Sequence, residues 1–214
     1  MSEKISILIT GFGPFPGAPF NPTTPLVKRL MQLRRPSFDE VKLTSHIFHV
    51  TYDTVDRELP KLIATTRPQA LLMFGLADRT AHLRVETRVR NAVTTLIADA
   101  DRRRARKGSI VEGADAKRFG RHTEKLLRAA LTTGIDARPS RDAGSYLCNY
   151  LSWRAIEAVG GDNGPRLAAF IHIPPLARAG AARRKGFSRI TLDELVDAGE
   201  AMLMEMVRLA RRAS

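Results

Sequence analysis

The side chains best suited to chemistry are one thiol, one imidazole and one carboxylate. The only cysteine, Cys148, lies in the run AGSYLCNYLSW at 143–153, near the expected start of a helix. A helix N-terminus brings free N–H groups and partial positive charge. Both favour a thiolate, and both stabilise the oxyanion of a tetrahedral intermediate. His172 closes the apolar run LAAFIHI at 167–173, just before two prolines; strand ends of this kind carry the working residues of α/β proteins. Glu86 is the only acid between Asp78 and Asp99 and has Arg84, Arg88 and Arg90 around it. In a strand these four side chains share one face. Each feature has a structural alternative: a buried thiol, a hydrogen-bonded core histidine, or a surface ion-pair ladder of little worth.

A fourth segment, GFGPFPG at 11–17, follows an apolar run. Its spacing is wrong for a dinucleotide loop, and Pro14 and Pro16 lack the N–H groups of a phosphate cradle. Phe12 and Phe15 suit the wall of a small apolar pocket, or they plug the core beneath the loop. The other histidines (His46, His49, His82 and His122) have no metal-ligand spacing, so no metal site is expected.

The elements that must position these groups alternate. Strands are expected at 5–10, 41–50, 70–74 and 167–173. Helices are expected from Thr23 or Thr24 to 33, and at 53–65, 123–132, 145–159 and 191–212. Thr191 and Glu194 have capping-box spacing. Residues 83–97 read as extended, and 99–121 as a charged, exposed excursion. Alternating strands and helices predict an α/β fold: a single domain over 1–214, built as an α/β/α sandwich with a mostly parallel, twisted central sheet.

Composition narrows the function classes. One cysteine rules out an internal disulfide and a Cys-rich zinc site. No run reaches the roughly 20 apolar residues of a spanning helix. The N-terminus reads as a first strand rather than a signal peptide, which places the protein in the cytoplasm. The net charge of +13, from 35 Lys and Arg against 22 Asp and Glu, is dense at 102–107, 183–185 and 208–212. Such an excess suits nucleic acid. With three tyrosines and one tryptophan to stack bases, a solvated arginine-rich surface is the favoured reading and nucleic acid is not an expected partner.

Together the segments GFGPFPGAPFNP, ETRVRN, AGSYLCNYL and FIHIP, in that order, resemble the pyroglutamyl peptidase I (pyrrolidone-carboxylate peptidase) family of cysteine peptidases. The resemblance runs from about residue 5 to residue 175. It implies an omega-peptidase that removes N-terminal pyroglutamate from peptides, without metal or organic cofactor, as a homo-oligomer (dimer or tetramer). It implies Cys148 as nucleophile, His172 as base and Glu86 as the group that orients the base. Phe12, Phe15, Asn21, Leu76, Tyr146 and Leu147 fall on substrate-site positions.

The sequence departs from the family after the third strand. GLADR at 75–79 stands where GQAGGR is usual, so Leu76 replaces a glutamine that would face the substrate amide, and Asp78 replaces a glycine pair. Leu96 stands near an expected arginine, and Arg84 in place of an expected proline. Two alternatives follow: a thiol amidohydrolase of altered specificity, and a catalytically weak, basic nucleic-acid-binding relative. A purely structural domain would need Cys148 buried and unreactive.

Overall fold

The computed structural model describes residues 4–176 and 190–213. Its centre is a six-stranded sheet in the order β2-β1-β3-β8-β4-β7. These strands are β1 (Ile5–Phe12), β2 (Val41–Phe48), β3 (Ala70–Leu76), β4 (Leu83–Glu86), β7 (Ala137–Ser140) and β8 (Leu167–Ile173). β1, β2, β3 and β8 run parallel. β4 is antiparallel to β8 and parallel to β7. A separate ribbon pairs β5 (Arg88–Val89) with β6 (Lys117–Arg118).

Strand side chains alternate between the two faces, and the core divides accordingly. Ile7, Ile9, Leu72, Phe74, Ile171 and Ile173 pack on one side with α1 (Thr23–Met31), α3 (His122–Leu131) and α5 (Leu192–Ala213). Leu8, Leu71, Met73, Ala168 and Phe170 pack on the other side with α2 (Tyr52–Thr66) and α4 (Leu147–Ala158). The result is the expected α/β layering with a mostly parallel sheet. The same alternation decides the site. Leu83 and Val85 of β4, and Ile171 and Ile173 of β8, face the first layer, which turns Arg84, Glu86 and His172 toward α4.

Several boundaries differ from the sequence reading for local reasons. β2 stops at Phe48 because residues 49–51 turn into the cap of α2. There the Thr51 N–H donates to the His49 carbonyl at 2.8 Å, and the Thr51 hydroxyl accepts the Thr54 N–H at 3.2 Å. α4 begins at Leu147 rather than Ser145, since Gly144 has φ +84° and Tyr146 is extended. Of 83–97, only β4 and β5 are strands. The excursion at 99–121 is exposed along most of its length, yet Asp99 and Phe119 are buried and β6 lies within it. β7 was not foreseen; its Pro139 is compatible with a strand at the sheet edge. The capping box of α5 forms: Thr191 N–H to Glu194 Oε2 at 2.7 Å, and Glu194 N–H to Thr191 Oγ1 at 3.2 Å. The basic cluster at 183–185 lies outside the described residues.

Candidate active site

β8 carries the imidazole of His172 and β4 the carboxylate of Glu86. Arg84 stands directly opposite His172 in the antiparallel register. The His172 Nδ1 and Glu86 Oε1 atoms are 2.7 Å apart. Glu86 is fully buried and His172 is 4% exposed. A carboxylate accepts, so Nδ1 carries the proton of this bond, and in the neutral ring the lone pair is then on Nε2. Arg84 closes on the same oxygen through Nε at 3.2 Å and Nη2 at 3.0 Å. Nη2 also donates to the Asp142 carbonyl at 3.0 Å. Its 3.2 Å approach to His172 Nδ1 brings two donors side by side and is a contact, not a bond. Glu86 Oε2 is buried and has no hydrogen-bond partner among the described residues.

α4 delivers the thiol. Tyr146 is the N-cap, so Cys148 is the second residue of the first turn, where backbone N–H groups lack helical acceptors. Gly75 is the register partner of His172 across β3 and β8. A Cβ on Gly75 would stand 2.7 Å from Cys148 Sγ and 2.6 Å from Phe170 Cζ. The Phe170 and His172 rings meet edge to face at 5.0 Å. Sulfur and the Phe170 ring therefore converge on the space that Gly75 leaves open, with His172 the register partner of that glycine.

The electrostatics differ from the expectation of a resting thiolate. Burial, then the Glu86 charge, push the Cys148 thiol up to about 12, while Arg84 and a backbone N–H pull the other way. The helix-end contribution is present and is outweighed by desolvation. The site therefore rests with a protonated sulfur.

The other sequence-selected residues lie as follows. Phe15 is half-buried against Tyr146, with ring centroids 6.3 Å apart. The Tyr146 hydroxyl donates to the Ala98 carbonyl at 2.9 Å, which ties the excursion to the approach to Cys148. Phe12 packs on Phe48 in the core, and Leu147 is also core. Asn21 is buried and organises the 11–17 loop from within, donating to the Gly13 carbonyl at 3.1 Å and accepting the Thr23 N–H at 3.1 Å. Leu76 is half-buried at the end of β3, paired with Ile173.

Three supporting residues escaped the sequence reading. Gly75 was visible only as a strand terminator. Asn149 follows Cys148 and accepts the Arg90 N–H at 2.9 Å while donating to the Arg90 and Ala92 carbonyls, so it pins α4 to the chain beyond β5. Arg84 was noted for its charge and its departure from the family pattern, without a role at the site. Asn91, the end of the ETRVRN segment, makes four bonds to residues 110, 111 and 114 and shapes the excursion. Among the described residues, no group of three or more His, Cys, Asp or Glu is arranged to hold a metal ion. No helix among them is long and apolar enough to cross a membrane.

This architecture has known counterparts. The chain is 30% identical over 195 residues to pyrrolidone-carboxylate peptidase 1 of Ralstonia nicotianae, covering 89% of this chain and 87% of that protein. It is 27% identical over 171 residues to the pyrrolidone-carboxylate peptidase of Pyrococcus furiosus, covering 79% and 81%. The solved structure of pyrrolidone carboxyl peptidase from the keratin-degrading bacterium Fervidobacterium islandicum matches with a TM-score of 0.84 at 26% identity, covering 95% of this chain and 98% of that one. The family model described as pyroglutamyl peptidase matches residues 5–208. The chain belongs to the pyroglutamyl peptidase family of cysteine peptidases.

Proposed function

We propose that this chain hydrolyses the amide bond after an N-terminal pyroglutamyl residue, with Cys148, His172 and Glu86 as the working groups. The observation that carries this reading is the buried 2.7 Å bond from His172 Nδ1 to Glu86. It fixes the tautomer in which Nε2 is the base, on the sheet face that Cys148 also occupies.

Because the sulfur rests protonated, proton removal accompanies attack. His172 Nε2 takes the thiol proton as Sγ bonds to the pyroglutamyl carbonyl carbon. The carbonyl oxygen becomes an oxyanion, stabilised by the N–H groups at the start of α4. His172 returns the proton to the amide nitrogen as the C–N bond breaks, leaving a thioester and a free amine. Water then gives a proton to Nε2 and its oxygen to the acyl carbon. The same acyl C–S bond then breaks, and His172 Nε2 returns its proton to the departing sulfur. Glu86 stabilises the imidazolium in both halves.

Phe15 and Tyr146 supply flat apolar surfaces for the small lactam ring, and Asn21 holds the loop that carries Phe15. Phe12 and Leu147 support this wall from the core. The test is release of a chromogenic amine from a pyroglutamyl arylamide in reducing buffer, with and without prior alkylation. Alkylator-sensitive release supports the reading. Absence of release at high enzyme concentration overturns it.

One observation favours a second reading, a thiol amidohydrolase of altered specificity. Leu76 offers no side-chain hydrogen bond to a substrate amide, and Leu96, near the expected arginine, is 80% exposed. A buried lactam without partners loses its desolvation energy uncompensated. A panel of acyl-amino-acid amides separates the two readings by kcat/KM. We further propose a single domain over 1–214 that works as a homo-oligomer in the cytoplasm, where a reducing environment preserves the thiol. The adjacent exposed side chains Leu96 and Ile97 support self-association, which light scattering tests directly.

A further inference from the structure

Glu86 carries a buried carboxylate, and among the described residues one arginine pairs with it. Arg84 approaches from β4, two residues away, with Nε and Nη2 both on Oε1. His172 approaches from β8 and Cys148 from α4. The other charges nearby among the described residues are committed elsewhere. The Asp142 carboxylate accepts from the Gly144 N–H at 2.9 Å and from Arg90 at 3.1 Å. Arg138 on β7 pairs with Asp136 at 2.9 Å, and His82 lies before β4, near that pair and Arg84. Among the described residues, then, a buried anion is compensated by Arg84 and by the His172 N–H alone. Such an anion left with a single donor is poorly supported.

Arg84 does a second thing with the same guanidinium. Its Nη2 holds the Asp142 carbonyl at 3.0 Å. That carbonyl begins the turn through Gly144, φ +84°, which feeds α4 and so Cys148. One planar group thus joins the acid on β4 to the segment that presents the nucleophile. Lysine is a point charge without this fork and cannot reproduce it.

We propose that Arg84 is a positioning residue for the hydrolytic reaction, fixing Glu86 Oε1 under His172 and tying that oxygen to the approach of Cys148. The proposal rests on the assignment of Glu86 and His172 made above. Its charge also opposes the upward push on the Cys148 thiol, which gives a readout that a merely structural arginine would not move.

The experiment compares wild type with Arg84→Met and Arg84→Lys in two assays. One is kcat and KM on a pyroglutamyl arylamide. The other is the pH dependence of alkylation by iodoacetamide, which reads one site because the chain has one cysteine. For Arg84→Met, kcat falls about tenfold to a hundredfold with KM within about twofold, as expected for a misplaced catalytic group. The alkylation curve moves to higher pH, slowing the reaction about tenfold at a fixed alkaline pH. Arg84→Lys keeps the alkylation curve near wild type and recovers part of kcat. Unchanged kcat in Arg84→Met overturns the proposal. So does a kcat loss with an unmoved alkylation curve and no recovery in Arg84→Lys. If circular dichroism shows Arg84→Met unfolded, Arg84→Lys decides alone: wild-type kcat overturns the proposal, and a loss of several-fold supports it. If wild type releases no amine, the functional reading fails, and the alkylation curves still decide the role of Arg84.

Discussion

Gly75 and Cys148 share one small volume: a Cβ on the glycine would stand 2.7 Å from the sulfur. The Phe170 ring closes the other side, at 2.6 Å. Neither neighbour is a flexible chain end that yields without cost. Gly75→Ala is therefore expected to displace the sulfur from His172 and to overpack the core. Activity falls by at least tenfold, and urea unfolding shows a loss of about 1–3 kcal/mol. Stability within 0.5 kcal/mol of wild type, with full activity, would show that the space is not needed.

The three working groups differ in what their loss removes. Cys148→Ala removes the only thiol and abolishes turnover. His172→Ala removes the proton carrier and does nearly the same. Glu86→Gln keeps the shape and can leave the imidazole in the wrong tautomer, so a trace of activity survives, roughly 10³- to 10⁴-fold down. Steady-state kinetics on an arylamide substrate check all three. Wild-type-like turnover in Cys148→Ala would sink the mechanism.

The raised Cys148 thiol has a stability consequence. Its folded value, about 12, lies above the ordinary thiol value near 8.5. Folding therefore holds the proton. The resulting stabilisation is complete below about pH 8.5 and is lost as pH rises toward 12. Denaturant midpoints of wild type should fall more than those of Cys148→Ala between pH 8.5 and pH 11. Parallel curves for the two proteins would refute a protonated sulfur at half-buried Cys148.

His122 works at the other end of the scale. Burial lowers its affinity for a proton, partly offset by the bond between Nε2 and the Ala168 carbonyl at 2.8 Å. A depressed folded value means that its contribution is present above the ordinary value near 6.5 and is lost as pH falls. Cooling of the melting temperature from pH 7 to pH 5 should be smaller in His122→Gln, which keeps a donor and cannot charge. An equal fall in both proteins would remove His122 from the acid response.

Much of this was legible in the sequence because period and punctuation carry it. The short apolar runs at 5–10 and 167–173 mark β1 and β8, and the capping residues mark α5. The motifs around Cys148, His172 and Glu86 named the family. The remainder depends on tertiary placement. The sequence gives no sign that β4 reverses direction, nor that Pro139 lies in a strand at the sheet edge. Phe12 and Phe15 are identical in type, yet one packs on Phe48 and the other faces Tyr146. Helix-end position suggested a thiolate, and only tertiary burial of the sulfur, with the Glu86 charge, reverses that. Arg84 looked like one charge among many because its three acceptor contacts come from two segments far apart in the chain.

The reversed direction of β4 makes catalytic competence a reporter of strand register. Val85 faces the opposite layer from Glu86, so a slip of β4 by one residue exchanges the carboxylate for an apolar or hydroxyl side chain under His172. A chain refolded with native helix content but a misaligned β4 would then be inert. Recovered turnover during refolding, followed alongside circular dichroism, would time the locking of that one strand separately from the gain of secondary structure.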